Sequence, residues 1–298
     1  MNSVIYIQKM KHFIGTRFNL KSSNWKKSKS GNLVLTEEWL EHRFHLFENY
    51  CLPSVKNQSN QNFIWCVFFD IDTPQNFKDR IVALTANTTN IIPLFIDGMI
   101  NLNISFKNFI HENITNSDSY IITTRIDNDD IIHKDFVDII QSLYQPSDCA
   151  VIDLRKGYQV SIDFAKPEVR LYTHPFNAFI SVIENVKSFD TVYSRMHYDW
   201  EIENNIILYK RKRLWMELSH HENYVNHRQM GLKKACFYDK KKFIVPANFE
   251  IDFIDVLLNN LKIYLNEITI YIERKIRFVS KIPFRTRRYL LKKIKTRY

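Results

Sequence analysis

The 298-residue chain predicts an α/β fold: a doubly wound, mostly parallel sheet with helices on both faces. Three observations carry that expectation. Short apolar runs without polar alternation mark strands buried on both faces. Stretches with apolar residues three and four positions apart mark amphipathic helices. The two kinds alternate through the first half of the chain, the order that layers helices onto a sheet.

Taken in turn, residues 13–18 form the first candidate strand, and the polar residues 21–30 a loop. Thr36 is placed to cap the next helix, with Leu35 and Leu40 as a hydrophobic staple. Leu40, Phe44, Phe47 and Cys51 fall on one face of that helix, and Pro53 lies near its end. Residues 63–69 are apolar throughout and stop at Asp70. Thr73-Pro74 reads as N-cap and first position of the next helix, which buries Phe77, Ile81 and Leu84. Residues 91–96 make a third strand, closed by Asp97-Gly98, and 105–113 a short helix. A fourth strand, 120–124, runs into an acidic turn, and 133–144 is helical with Phe136, Ile140 and Leu143 inward. The second half is less regular. It offers strands at 150–154, 158–163, 169–172 and 214–218 and short helices at 177–185 and 200–208. After Asn248 the chain is amphipathic and helical, then basic. This divides it into a body, 1–248, and an extension, 249–298.

Composition excludes some functions. Glycine occurs five times, never clustered, which rules out a P-loop and a G-x-G-x-x-G turn. A bound diphosphate would need another source of neutralisation. Cys51, Cys66, Cys149 and Cys236 include no C-x-x-C pair, so free thiols in a reducing compartment are expected. No apolar segment follows Lys9 and Lys11, and no run is long enough to span a bilayer, so neither a signal peptide nor a membrane span is expected. The net charge of +10 is concentrated: residues 271–298 hold eleven Lys/Arg against one acid, Glu273, and the preceding 270 residues are neutral overall. Ile276, Val279, Ile282, Leu290, Leu291 and Ile294 interleave with those cations, a pattern that favours an anionic membrane surface. A nucleic acid is the rival partner, but no recognition motif accompanies the cations and none is expected to bind.

Ligands of doubly wound sheets sit at the carboxyl ends of the strands. Three strands here end in acids: Asp70 with Asp72, Asp97, and Asp127 with Asp129 and Asp130. Three carboxylates within four residues repel one another, and a hard cation relieves the repulsion. Mn²⁺ or Mg²⁺ binds through few carboxylates, completes its shell with phosphate oxygens and acts as a Lewis acid on a departing diphosphate. That is the neutralisation a glycine loop would otherwise give. Arg125 can add a bidentate phosphate contact. The plainer reading of the same residues is a solvated loop with Asp130 capping the next helix.

The run Thr124-Arg125-Ile126-Asp127-Asn128-Asp129-Asp130 resembles the T-R-x-D-x-D-D signature of a bacterial family of rhamnosyl transferases with the GT-A nucleotide-diphospho-sugar transferase fold. His12-Phe13 through Thr16-Arg17-Phe18-Asn19 is similar to that family's opening strand. Residues 39–54, with Arg43, Phe47 and Cys51-Leu52-Pro53-Ser54, are similar to its next helix, and Gln61 to Trp65, leading to Asp70 and Thr73-Pro74, to its second strand. The likeness spans residues 10–230. It implies a metal-dependent, inverting hexosyltransferase. The sugar, rhamnose by the family's name, would pass from a UDP- or dTDP-linked donor to a glycan or lipid-linked acceptor in surface polysaccharide synthesis. The expected location is the cytoplasm, at the inner face of the membrane.

By the same resemblance, Asp127 lies near the ribose or a metal-bound water, Asp129 is the main metal ligand, and Asp130 is a ligand or its support. Thr16, Arg17 and Asp70 border the nucleotide, and Phe18 packs on the base. An inverting transferase needs a general base, and Asp199, then Glu201, stand where a helix begins well after the metal motif. A helix N-terminal acid favoured by the dipole is the alternative for Asp199. Ser219-His220-His221-Glu222-Asn223 is similar to an H-G-x-N segment of the family. His220 aligns with its histidine and His221 with its glycine, so either can complete the metal shell.

Two rivals remain at this level. Asp70-Ile71-Asp72-Thr73 approximates the D-x-D-x-T of haloacid dehalogenase phosphatases, with Asp70 as nucleophile and the threonine one position early. A non-catalytic nucleotide-binding module anchored by the tail is the other.

Overall fold

The computed structural model describes residues 9–22, 35–162, 167–220, 231–245 and 249–281. The expectations for His221 and for the tail beyond residue 281 lie outside them.

Strand β1 (Lys9–Arg17) is followed by α1 (Glu37–Leu46), which continues through a π turn (Phe47–Cys51) into α2 (Leu52–Lys56). The Thr36 hydroxyl accepts the Trp39 N–H at 3.2 Å, so the expected cap is present. Leu40, Phe44, Phe47 and Cys51 are all buried, as their spacing requires. Next come β2 (Ile64–Asp70), α3 (Gln75–Thr85), β3 (Ile91–Ile96), α4 (Leu102–Asn113) and β4 (Asp118–Arg125). One cap moves. Pro74, not Thr73, is the N-cap of α3. The Thr73 hydroxyl instead donates to the Asp70 carbonyl at 2.6 Å, closing the turn before the helix.

After β4 the chain forms a two-residue strand, β5 (Ile131–Ile132), before α5 (Phe136–Ser142). The helix expected from residue 133 therefore starts later, because residues 131 and 132 pair with another strand. Then follow β6 (Cys149–Leu154), β7 (Lys156–Ser161), β8 (Glu168–Thr173), β9 (Ser181–Asn185), β10 (Ile206–Tyr209), β11 (Trp215–Ser219) and α6 (Phe253–Lys281). Two expected helices are strands. Residues 181–185 run antiparallel between β4 and β6, burying Val182 and Ile183 on opposite faces. Residues 197–202 make only a 3₁₀ turn, and 206–209 an edge strand beside β6. Short apolar runs do not separate strand from helix by spacing, and β-branched residues tip both segments to strand.

The large sheet has the order β10-β6-β9-β4-β1-β2-β3. β1 is parallel to both β2 and β4, and β2 to β3. The chain winds outward from β1 through β2 to β3, then returns to the other side of β1 as β4. The strand order switches there, and the carboxyl ends of β1 and β4 adjoin, with Gly15 opposite Arg125. Alternation along β2 sends Trp65, Val67 and Phe69 into the core beneath α1 and α3, and Cys66 and Phe68 into the core beneath α4.

A second sheet, β5-β11-β7-β8, packs behind the switch point. Trp215 is its hinge to the body: its indole N–H donates to the Leu154 carbonyl at 2.6 Å and its ring stacks on Phe179. A Cβ on Gly157 would fall 2.1 Å from that ring, so the position needs glycine. No helix among the described residues is long and apolar enough to cross a membrane.

Candidate active site

The acidic run begins where β4 leaves the sheet. Ile126 N–H still bonds to the Gly15 carbonyl at 3.1 Å, and the chain then turns, with Asp130 N–H reaching the Asp127 carbonyl at 3.3 Å. The turn sends its three carboxylates to three different partners, which is how the fold tolerates them together.

Asp127 faces the strand ends. Arg125 Nη2 lies 3.1 and 3.2 Å from its two oxygens, and Arg17 Nε 3.4 Å from Oδ1. Burial pushes this carboxyl up, but the two guanidinium charges outweigh burial and hold it below the ordinary range. Asp129 points toward α1 and the end of β11. Its Oδ2 accepts from Arg43 Nη1 at 3.1 Å and lies 3.0 Å from His220 Nε2. Burial again acts upward, and Arg43 and the His220 contact reverse it, so this carboxylate is held well down. Asp130 turns inward and accepts the Leu218 amide at 3.0 Å. Burial and the charges of Asp129 and Asp127 raise its pKa well above the ordinary range. Asp130 thus ties the run to β11 and so sets His220 beside Asp129. Asn128 donates to the Phe18 carbonyl at 3.2 Å and accepts from Arg43.

The fit of a divalent cation rests on Asp129 and His220. Cis ligands of an octahedral ion with bonds near 2.1 Å stand ~3 Å apart, and Asp129 Oδ2 and His220 Nε2 are separated by 3.0 Å. Asp127 is committed to arginines and Asp130 to a backbone amide. No three His, Cys, Asp or Glu side chains converge among the described residues. The residues therefore offer two protein donors to a cation, and Arg43 Nη1, 3.1 Å from Asp129 Oδ2 and 3.5 Å from His220 Nε2, would have to move aside for it. Arg43 Nε and Arg125 Nε are buried with no hydrogen-bond partner among the described residues. Buried donors of that kind call for an acceptor.

The other expected residues divide. Arg17 turns to the acidic run. Thr16 is fully buried and its hydroxyl accepts the Trp65 indole N–H at 2.8 Å. Phe18 lies in the core among Phe44, Phe47 and Phe69, with ring centroids 4.6 to 5.2 Å away. Asp70 is buried, and its two oxygens accept the Lys21 and Asp72 amides at 3.0 and 3.1 Å. A carboxylate so engaged closes a loop and is poorly disposed to attack phosphorus. Asp199 and Glu201 stand exposed on the 3₁₀ turn His197–Ile202, where a full helix was expected.

Tyr193, ahead of that turn, and His197, at its start, are two residues the sequence reading did not single out. The Tyr193 hydroxyl donates to the Gly15 carbonyl at 2.7 Å, within the field of Arg125, Asp127 and Arg17. His197 feels Arg125 and Asp127 as well, and its Nδ1 lies 2.5 Å from the Phe176 carbonyl. A Cβ on Gly15 would come within 2.5 Å of Tyr193 Cε2, so the lone glycine in β1 makes room for that ring. An isolated glycine in a strand signals such close approach and was the available cue. His42 is the third omission; its ring meets that of His220 edge to face at 5.2 Å.

A doubly wound sheet whose switch point carries an acidic turn ringed by arginines and a histidine has the architecture of the GT-A class. The chain belongs to the family described as "Putative rhamnosyl transferase", whose model matches residues 14–232. Among curated proteins none matches its sequence. Several solved structures are similar. Residues 1–349 of TarS from S. aureus align with a TM-score of 0.40 at 12% identity, over 70% of this chain and 60% of that one. The same TarS fragment in complex with UDP aligns at 0.42 and 14% identity, over 70% and 61%. A "putative nucleotide-diphospho-sugar transferase" from Desulfovibrio desulfuricans G20 aligns at 0.35 and 7% identity, over 73% and 84%. The chain spans about three fifths of the length of those TarS fragments.

Proposed function

We propose that this chain is a metal-dependent, inverting hexosyltransferase that moves a sugar, rhamnose by the family's name, from a UDP- or dTDP-linked donor to a glycan or lipid-linked acceptor. The observation that carries the reading is the Asp129–His220 pair, two metal-type donors 3.0 Å apart at the switch point of the sheet. These two residues would hold Mn²⁺ or Mg²⁺, which when bound stabilises the leaving diphosphate as a Lewis acid. The chain's own cations share that task. Arg17 and Arg125, held by Asp127, present fixed positive charge to the donor at no cost of reorganisation. Arg43 bridges Asp129 and Asn128 and keeps the turn in shape. Asp199, with Glu201 second, is the group we assign to take the acceptor hydroxyl's proton; both are exposed and so reachable by an acceptor. A site of action at the inner membrane face belongs to the same proposal and draws on the cationic sequence after residue 271.

A sugar-nucleotide hydrolysis assay with Mn²⁺ tests the assignment. Asp129→Ala is expected to lower the rate by at least about a hundredfold, in line with the loss of one main source of transition-state charge stabilisation. Asp70→Asn is expected to retain it. The reverse outcome assigns the chemistry to Asp70 and overturns the reading.

A further inference from the structure

The long helix α6 is fixed to the body along one side, bounded on its circumference by Asp255 and Asn260. Val256 is buried, the Asn260 amide accepts from Lys234 N–H at 2.8 Å and donates to the Lys234 carbonyl at 3.0 Å, and Glu267 meets Lys233 at 3.2 Å. Asp255 pairs with Lys234 as well. These contacts set the rotation of the helix about its axis. At 100° per residue, Val256, Asn260 and Glu267 share one side.

A different side is apolar and open. Ile254, Leu257, Leu258, Leu261, Leu265, Ile268 and Ile272, with Tyr264 and Tyr271, cover an arc of about 140°. All are exposed, Leu257 at 68% and Tyr271 at 61%. A patch this large and continuous on a soluble body marks an interaction surface. Its breadth argues against a coiled-coil seam, and the charge beside it selects the occupant. A coiled-coil seam uses two positions per heptad, whereas this arc fills three, the third held by Leu257, Tyr264 and Tyr271. Wide apolar arcs edged by tyrosine suit the headgroup–acyl boundary of a bilayer. Charge agrees: the sequence from Arg274 onward supplies eleven cations and no acid. The helix is not apolar enough to cross.

We propose that α6 lies flat in the interface of an anionic bilayer, its 254–272 arc among the acyl chains and the cationic sequence after it at the headgroups. This rests on the membrane-face reading above and adds to it the embedded element and its orientation.

The test is co-sedimentation of the full chain with vesicles of equimolar phosphatidylglycerol and phosphatidylcholine. Leu261→Glu with Leu265→Glu is expected to weaken binding by at least about a hundredfold, since each change removes apolar burial and adds a repelled charge. Asn266→Glu, on the polar side, adds a charge alone and is expected to cost no more than about tenfold. Phosphatidylcholine alone is expected to bind far more weakly. No binding by the unaltered chain, equal binding to neutral vesicles, or a double variant that binds as well as the parent overturns the proposal. So does a dimer in light scattering that the double variant splits without any vesicle binding, which gives the face to a second copy. Mn²⁺-linked UDP binding, measured alongside, separates the two readings. If it fails while vesicle binding responds as expected, the transferase reading falls and this one stands.

Discussion

At the scale of single residues, the acidic run works by dividing its charges. Asp127 goes to two arginines, Asp129 to Arg43 and His220, and Asp130 to a backbone amide. The sequence showed three carboxylates in four residues but not this division, because apart from Arg125, two residues before Asp127, the partners come from distant parts of the chain. Gly15 is the most exacting neighbour. In Gly15→Ala the new methyl overlaps the Tyr193 ring, and overpacking of this kind costs about 1–3 kcal/mol. Tyr193→Ala on top of it is expected to recover part of the loss, and urea unfolding of the four variants in a double-mutant cycle reads the coupling. Additive effects would show that the two residues do not meet. His12 gives a separate residue-scale expectation. It is buried, with Nε2 2.8 Å from Thr124 Oγ1, and burial pushes its pKa down to about 3. Above pH 6.5 both folded and unfolded states hold it neutral, and it has no effect. As pH falls below 6.5 the unfolded chain takes up a proton that the folded chain refuses, so stability drops down to about pH 3. The full loss is on the order of 5 kcal/mol. His12→Gln is expected to flatten the stability curve between pH 6.5 and 4 relative to the parent; parallel curves would show that His12 does not titrate with folding.

At the scale of elements, legibility followed length and periodicity. The helix from Glu37 was read closely because it keeps one period, and the strands at Ile64 and Ile91 because each is an unbroken apolar run closed by an acid. Residues 131–132 and 181–185 were not, since each is too short for a period and is strand only because a partner waits beside it. The same reason hid the role of β11. Nothing local to Trp215–Ser219 says that it pairs with β5 and carries His220 to Asp129. The placement of β9 can be checked directly. Flanked on both sides, its amides are expected to exchange with solvent only on global unfolding, far more slowly than those of the edge strand β10. Rapid exchange across residues 182–184 would remove β9 from the centre of the sheet.

At the scale of the whole molecule, the absence of a glycine loop and the arrangement of the switch point meet in one expectation. The protein supplies two metal-type donors and three nearby arginines, with no closed cage among the described residues. Two donors bind a hard cation weakly, since most of its shell remains water. A nucleoside diphosphate by itself meets the arginines but also the carboxylates. Each ligand therefore supplies what the other lacks, and their binding should be linked. Because ligands that bind only the folded chain stabilise it by mass action, the linkage is readable as a melting shift. At a hundred times Kd the gain is about 2.7 kcal/mol, a shift of several degrees for a domain of this size. Mn²⁺ alone and UDP alone in EDTA are each expected to shift melting by a small fraction of what they do together, and dTDP in place of UDP ranks the donor base. In Asp129→Ala the joint shift should collapse toward the sum of the separate ones. Should UDP in EDTA produce the whole shift, Arg17, Arg43 and Arg125 would suffice to neutralise the diphosphate and the metal would be dispensable for binding, leaving the Asp129–His220 pair as a structural tie between the acidic turn and β11.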